Sequence, residues 1–247
     1  MDHSDARALM TAGFLARLGR APTRPEVQCE QAVGFLETGY AIWKPPGTGS
    51  WNFGAIQGTG PAGFFLYTDT HPNPDGTSTP YTSKFAKYTD GPEGASALVF
   101  EVYVNHSRDT LVLPPATAGD TLGFSTGLHT SGYYEGFGAT VAERIEHHHA
   151  AVLNACRLMA LEIGEPMPDG SDPVPLPLAA LHQGVTGPRV EAWQRILSAA
   201  GFTCTVDGVF GPKTRTLTML LQKKLGVTMD GVVGPATLAA AAAAGYP

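Results

Sequence analysis

The feature that most constrains this chain is a short repeat near its C-terminal end. Residues 207–214 are Asp-Gly-Val-Phe-Gly-Pro-Lys-Thr and residues 230–237 are Asp-Gly-Val-Val-Gly-Pro-Ala-Thr, so that Gly231 follows Gly208 by 23 residues. A fixed period of this kind indicates two stacked copies of one small supersecondary unit. Each copy has an Asp-Gly turn, a second glycine and a proline that precedes a helical run.

The segments before the two turns have apolar residues at helical spacing and a glutamine, which is Gln194 in one copy and Gln222 in the other. Gly184, Gly187 and Val190 open the first copy. This pattern resembles the bacterial peptidoglycan-binding domain. The resemblance implies three short helices and bacterial peptidoglycan as the partner.

The resemblance extends over residues 182–245, with Trp193 at the family's leucine position and Leu221 at its phenylalanine position. We expect Trp193 and Phe210 to belong to the core, since large apolar side chains are mostly buried. The contact surface would then be a shallow groove beside the repeated turns.

The composition restricts the other partners. A chain of 247 residues allows one large or two modest domains, and 43% apolar residues can fill their cores. The net charge of −6 argues against nucleic acid as a partner. No apolar stretch is long enough to span a bilayer, so we expect no membrane insertion.

The N-terminal sequence Met-Asp-His-Ser-Asp lacks the basic and apolar regions of a secretory signal. Cys29, Cys156 and Cys204 are scattered and odd in number, so we expect free thiols in a protein made in the cytoplasm. A wall-directed protein without an export signal is typical of phage endolysins, which holins release. It is also typical of lysozymes that a phage tail or an injection-machine particle carries to the wall.

Prolines divide the chain. Five of them fall within the polar stretch 164–177, and proline-dense sequence favours an extended tether. We therefore predict a first domain over residues 1–163, a linker over 164–181 and the peptidoglycan-binding domain over 182–247.

The predicted fold class is mainly α, with an α+β first domain that has a small β lobe, followed by the three-helix domain. Residues 50–90 are rich in glycine, threonine, proline and aromatic residues, which indicates loops and a short hairpin. Helical spacing of apolar residues predicts helices from Ser4 to Gly19, from Thr23 to Gly39, from Pro92 onward, around 115–129 and over 140–163.

Glu37 follows an apolar helix in the sequence Phe-Leu-Glu-Thr-Gly-Tyr. A carboxyl at the edge of a cleft has a raised pKa and stays protonated near neutral pH, as the acid of a glycosidase requires. Together with Trp-Asn-Phe-Gly-Ala-Ile-Gln at 51–57, the motif resembles the lysozyme superfamily, particularly its bacterial glucosaminidase branch. By that resemblance Glu37 is the catalytic acid of a lysozyme-like domain.

Residues 51–57 would form one wall of the substrate cleft. Trp51 could stack on a pyranose face, and Gly54 lets the backbone approach a sugar closely. Asn52 and Gln57 complete the predicted substrate-binding set.

In the family a tyrosine lies beside the acid, and either Tyr133 or Tyr134 matches it here. An acidic residue on the β lobe serves in that branch as base for the attacking water. Asp69 is the better candidate in this chain and Asp75 the second, although aspartate replaces the glutamate that is usual in the family.

We predict no cofactor and no metal. Adjacent residues on a helix point in different directions, so His147, His148 and His149 cannot bind one metal together. No zinc-binding spacing of histidine or cysteine pairs is visible, and Cys29 has no convincing histidine partner for a cysteine peptidase. The predicted function is hydrolysis of β-1,4 glycosidic bonds in peptidoglycan.

Three alternatives remain open. A lytic transglycosylase would use the same Glu37 but release an anhydro-sugar. Zinc amidases and peptidases often carry the same wall-binding domain. A non-catalytic wall-docking component of a phage tail or injection machine would keep only the lysozyme-like shape.

Overall fold

The computed structural model describes residues 1–38, 50–72, 78–136, 138–173 and 180–246, with the backbone alone at 69–72 and 78. The chain forms two compact units, each with its own hydrophobic core. The first comprises Met1–His71 and Pro80–Val174, and the second comprises Pro72–Thr79 and Pro175–Pro247.

Helices dominate the described residues and accompany a two-stranded sheet, which confirms the predicted class of a mainly helical chain with a small β lobe. No helix within the described ranges is long and apolar enough to cross a membrane. A 3₁₀ turn at Asn105–Ser107 precedes the fourth helix. The helices are α1 (His3–Leu18), α2 (Arg24–Thr38), α3 (Gly91–Tyr103), α4 (Arg108–Leu111), α5 (Leu113–Ala118), α6 (Thr121–Thr130), α7 (Val141–Ile163), α8 (Pro188–Ala199), α9 (Pro212–Leu225) and α10 (Pro235–Ala243), and the strands are β1 (Phe64–Pro72) and β2 (Ser78–Ala86).

In the first unit α1 packs on α3, and α2 packs on α7. Gly13 allows α1 to approach α3 closely, because a Cβ atom there would lie 2.6 Å from the backbone of Ala95. Phe14, Tyr103 and Phe124 fill the space between the helices, with ring centroids 5.1 Å and 6.2 Å apart along the series. Burial of each such side chain contributes roughly 1.5–3 kcal/mol to folding.

Two helix boundaries differ from the prediction. Asp2, rather than Ser4, caps α1, since its carboxylate accepts a hydrogen bond from the Asp5 N–H at 2.8 Å. Aspartate and serine are equally good caps, so sequence alone does not choose between them. Gly119, with φ of 76°, separates α5 from α6, so the single helix expected around 115–129 is two.

The strands β1 and β2 form the hairpin that was predicted within residues 50–90. The hydroxyl oxygens of Thr68 and Thr82 lie 2.7 Å apart across the strands, and the rings of Phe65 and Phe85 stack at 5.7 Å between centroids. Because side chains alternate along a strand, the two phenylalanines lie buried on one face while the threonines occupy the other.

The first unit extends beyond the predicted boundary at residue 163. Arg7 and Glu165 form an ion pair of 2.5 Å, and the Met167 side chain lies in the first core with 7% of its surface exposed. These contacts hold the start of the predicted linker 164–181 on the first unit, so it is not an extended tether there.

The second unit places α8, α9 and α10 around a core that includes Trp193 and Phe210, as predicted. Both side chains are at most 1% exposed. The Trp193 indole N–H donates to the Thr218 hydroxyl at 2.8 Å, which satisfies the polar atom of a buried ring.

Two short antiparallel bridges join the start of this unit to the repeated turns. Leu181 pairs with Val233 through backbone hydrogen bonds of 3.1 and 2.7 Å, and Thr186 pairs with Val209. Since Leu181 is paired and buried, the packed part of the second unit begins before the predicted boundary at residue 182.

A buried glutamine holds each repeated turn. The amide nitrogen of Gln194 donates to the Asp207 carboxylate at 2.7 Å and to the Val209 carbonyl at 3.0 Å. Its oxygen accepts from the backbone N–H groups of Asp207 and Gly208, at 3.0 and 2.9 Å. In the second copy, the amide nitrogen of Gln222 donates to the Asp230 carboxylate at 2.8 Å and to the Val232 carbonyl at 2.9 Å, and its oxygen accepts from the Gly231 N–H at 2.9 Å.

Candidate active site

Glu37 occupies the last turn of α2, directly before Thr38. The Thr38 hydroxyl lies 3.0 Å from the carbonyl oxygens of both Gly34 and Phe53, to which it donates, so it joins the helix end to the segment that contains Phe53. Glu37 itself is exposed, which differs from the sheltered position expected at the end of an apolar helix. Residues 39–40 of its motif lie outside the described residues.

The Tyr133 hydroxyl lies beside Gly54. A Cβ atom at Gly54 would lie 3.5 Å from that hydroxyl and 2.7 Å from the Leu98 side chain, so glycine is what leaves room at this point. Burial raises the pKa of Tyr133 well above its ordinary value, and the nearby Glu37 carboxylate raises it further. The structure thus brings Glu37, Gly54 and Tyr133 together.

The hydroxyl oxygen of Tyr133 is buried and has no hydrogen-bond partner among the described residues. Buried polar groups in folded proteins are nearly always hydrogen-bonded, so an unpaired one calls for an explanation. A tyrosine hydroxyl can both donate and accept. It lies near the exposed carboxyl of Glu37, whose charge contributes to the raised pKa of the tyrosine.

Tyr134, the other candidate tyrosine, is held by contacts with α6 and α7. Its hydroxyl donates to the Ser125 carbonyl oxygen at 2.9 Å. Its ring stacks on His148 at 3.9 Å between centroids and meets the edge of the His129 ring at 5.3 Å. Tyr134 is thus held by internal contacts, whereas Tyr133 is the tyrosine whose hydroxyl lies beside Gly54.

Asn52 is buried, with 1% of its surface exposed. Its amide nitrogen donates to the carbonyl oxygens of Ile56 and Ala86 at 2.8 and 3.0 Å, and its oxygen accepts from the Ile56 N–H at 2.8 Å. These bonds occupy both amide protons and the oxygen. Asn52 thus joins its own segment to the end of β2, and its predicted contact with substrate stays a prediction.

Trp51 packs against α1 and α3. A Cβ atom at Gly91 would lie 3.2 Å from the Trp51 ring, and the ring lines an open hollow together with Asp5 and Leu9. Gln57 is exposed and pairs through its backbone with Phe85. Their roles in substrate binding stay predictions.

The second carboxylate also stays a prediction. Asp69 lies in β1, where the structure describes the backbone alone. Asp75 lies outside the described residues.

Two glutamates of α2, Glu26 and Glu30, are fully buried, which the sequence did not indicate. Burial alone would raise the pKa of Glu26, but hydrogen bonds from Arg20 at 2.7 Å and Thr117 at 2.6 Å outweigh it and lower the pKa to about 2. One turn later, neither carboxyl oxygen of Glu30 has a hydrogen-bond partner in the described part of the chain, and burial raises its pKa well above its usual range. Solvent does not reach this carboxyl of Glu30.

A periodicity connects these carboxyls. Glu26, Glu30 and Glu37 are spaced by four and seven residues, which places them along one face of α2. Charged residues are usually exposed, so this spacing did not by itself indicate burial.

The adjacent histidines of α7 face different partners, as their helical geometry predicted. His148 stacks on an aromatic ring, whereas His149 Nε2 lies 3.0 Å from the Thr121 hydroxyl, and burial lowers the pKa of His149. Across the described residues, no group of three or more histidine, cysteine, aspartate or glutamate side chains is arranged to hold a metal.

The three cysteines are free thiols, as predicted. Cys29 and Cys156 are buried, and burial raises the pKa of both, to about 12 for Cys156. Thiols with raised pKa values are poor nucleophiles at neutral pH, so these two are structural.

Residues 186–241 match the family described as "Putative peptidoglycan binding domain". The matched region contains α8, α9, most of α10 and both repeated turns. This match confirms the resemblance that the Asp-Gly repeat predicted.

Among curated proteins, the chain is similar to N-acetylmuramoyl-L-alanine amidase CwlL of Bacillus licheniformis. The two are 43% identical over 68 residues, which cover 26% of this chain and 19% of the amidase. The chain therefore spans about a fifth of the length of that relative.

Among solved structures, the chain is similar to the catalytic domain of the autolysin Auto from Listeria monocytogenes, with a TM-score of 0.43 and 12% identity over 66% of this chain and 82% of that one. It is also similar to a C-terminally truncated glycoside hydrolase domain of FlgJ from Salmonella typhimurium, with a TM-score of 0.39 and 19% identity over 66% and 98%. Both similarities are too weak to support a conclusion about this chain.

Proposed function

We propose that this chain is a peptidoglycan hydrolase that cleaves β-1,4 glycosidic bonds of the glycan strand and carries its own wall-binding domain. The observation that carries the proposal is Glu37 near the buried hydroxyl of Tyr133, which has no hydrogen-bond partner in the described part of the chain. The match of residues 186–241 to a peptidoglycan-binding family supports the choice of polymer.

In this proposal Glu37 donates a proton to the glycosidic oxygen while the bond from that oxygen to the anomeric carbon breaks. Water adds to the anomeric carbon, and its proton passes to a second carboxylate, for which Asp69 is the first candidate and Asp75 the second. The Tyr133 hydroxyl hydrogen-bonds to the sugar at the reacting centre. The distance from Glu37 to the second carboxylate decides whether the configuration is retained or inverted.

The second unit contributes by holding the enzyme on its polymer. Attachment makes each later encounter with the glycan strand intramolecular and so raises the effective concentration of the active site. Its own affinity need not be high, because the two parts of the chain act on one extended substrate.

The similarity to an amidase favours a second candidate function, cleavage of the amide bond between the glycan strand and its peptide. A lytic transglycosylase is a third, since it would use the same Glu37 acid. The three reactions leave different products from the same wall.

Mass spectrometry of purified walls digested by the full chain tests the proposal. We expect new reducing ends from the wild type and from Glu146→Gln, a control that removes another exposed carboxyl, from α7. Glu37→Gln should release them at least about a hundredfold more slowly, because the general acid is lost, with unchanged thermal unfolding.

Other products would change the assignment. Anhydro-sugar ends would indicate a transglycosylase, and free peptides from Glu37→Gln would indicate an amidase. If wild-type protein that sediments with walls releases nothing, the proposal is wrong and the chain is a binding protein.

A further inference from the structure

Arg108 lies against the ring of Tyr133, with its guanidinium carbon 5.1 Å from the ring centroid. The residue is 2% exposed, so its charge is held inside the first unit. A cation over an aromatic face is attracted by the electrons of the ring, and more strongly where water is excluded.

Hydrogen bonds fix the guanidinium group in this position. Nε donates to the Ser131 hydroxyl at 2.7 Å, and Nη2 donates to the Ser131 carbonyl at 3.2 Å. Nη1 donates to the Glu101 carbonyl oxygen at 2.6 Å. Because the guanidinium is planar and its donors have fixed directions, these bonds fix both the position and the orientation of the group. Arg108 thereby joins α3 and the end of α6 to Tyr133.

Backbone strain flanks the same tyrosine. The residues other than glycine that have positive φ in the described chain are Trp51, Ala55, His106 and Ser107, at 48°, 50°, 55° and 62°. Trp51 and Ala55 lie on either side of Gly54 in the sequence, and Gly54 is beside the Tyr133 hydroxyl. His106 and Ser107 directly precede Arg108, which contacts the Tyr133 ring. Such conformations are uncommon and cluster at functional sites, where the surrounding structure maintains them.

We propose that Arg108 is a positioning residue of the candidate active site, which holds the Tyr133 ring so that its hydroxyl stays beside Gly54 and close to Glu37. The inference rests on the proposed function and deepens it. In this proposal Arg108 acts through Tyr133.

Kinetics of the full chain on soluble glycan fragments test this role. We expect Arg108→Met to lower kcat about tenfold to a hundredfold with little change in KM, because a misplaced group loses most of its effect. The double variant Arg108→Met, Tyr133→Phe should be no slower than Tyr133→Phe alone, since residues that act through one contact are not additive.

Two further variants guard against a general effect of removing a buried arginine. Arg7→Met removes another arginine of the first unit, which pairs with Glu165, and should reduce stability without lowering kcat. Ser131→Ala keeps Arg108 but removes the partner of its Nε, and should lower kcat about fivefold, as the loss of one hydrogen bond predicts. Additive losses in the double variant, or an unchanged kcat in both Arg108→Met and Ser131→Ala, would overturn the proposal.

A measurement without substrate separates this inference from the proposed function. In protein labelled with carbon-13 at the tyrosine ring Cζ, the NMR signal that is absent from the spectrum of Tyr133→Phe belongs to Tyr133. It should shift in Arg108→Met and stay in place in Arg7→Met, and a signal that does not move in Arg108→Met contradicts the positioning contact. If it moves while the wild type cleaves no glycan, the proposed function fails and the contact stands.

Discussion

In the second unit, buried Gln194 and Gln222 each bond to both sides of the turn that follows them. In the first unit, the buried Tyr133 hydroxyl and both carboxyl oxygens of Glu30 have no hydrogen-bond partner among the described residues. The repeated networks stabilise a fold, because each satisfied buried bond adds to stability. An unpaired buried group costs stability, so it marks a place where something other than stability explains the residue.

The two units also differ in which residues adopt a positive φ. The repeated turns use glycine where φ is positive, at Gly208 and Gly231 with 71° and 72°. Around Tyr133, side-chain-bearing residues adopt such angles instead. Strain of this kind costs on the order of 1–3 kcal/mol per residue. We infer that the second unit follows the local rules of folding, while the first departs from them around its candidate site.

The largest expected effect is on a repeated network. Gln222→Ala should lower the free energy of unfolding of the second unit by about 4 kcal/mol, because several buried groups of one turn lose their partner together. Calorimetry of the full chain measures it. The control Arg195→Ala breaks an exposed pair with Glu191 and should cost a few tenths of a kcal/mol at most.

The same variant also tests the comparison between the two units. Cleavage of soluble glycan fragments by Gln222→Ala should match the wild type, because the substitution lies outside the first unit. A loss below about 1 kcal/mol would show that the network contributes no more than a single ordinary hydrogen bond.

A smaller effect on stability is expected from Glu26, the buried carboxyl of the first unit that accepts hydrogen bonds from Arg20 and Thr117. Glu26 has a pKa lowered to about 2, so its contribution is present above its unfolded value of 4.5 and is lost as pH falls toward 2. Glu26→Gln should therefore destabilise the protein by about 3 kcal/mol near neutral pH and have little effect near pH 2. Urea unfolding across this range measures the difference, and a destabilisation independent of pH would contradict it.

The stability that Glu30 contributes should change with pH in the opposite direction, because its folded-state pKa is raised. Its contribution is complete below the unfolded value of 4.5 and is lost as pH rises, at about 1.4 kcal/mol per pH unit until the folded-state pKa is reached. Between pH 5 and 7 the stability of Glu30→Gln should fall less steeply than that of the wild type. Parallel curves for the two proteins would show that Glu30 is ionised in the folded state.

Part of the candidate site was predictable from the sequence. Glu37, Gly54 and Tyr133 were predicted as site residues, and the structure brings them together. The side chains of Asn52 and Tyr134 are held by hydrogen bonds within the protein, and their roles in the site stay predictions. A motif specifies which residue types occur but not which way each side chain points, and adjacent residues such as Tyr133 and Tyr134 point in different directions.

The sequence by itself determined the elements whose physics is local. Asp-Gly turns need glycine for a positive φ, and the capping box of Thr140 and Glu143 starts α7 where helical spacing predicted it. The repeat likewise predicted both copies of the second unit, although Gln194 and Gln222 lie at different distances from their turns along the chain.

Only the tertiary structure decided the burial of carboxyls and the direction of side chains at the site. Glu26 and Glu30 are the same residue type one turn apart on α2, and their pKa values shift in opposite directions. The difference comes from Arg20 and Thr117, which reach Glu26 and not Glu30. Charge and hydrogen bonding act through space, and the distances that set them exist only once the helices have packed.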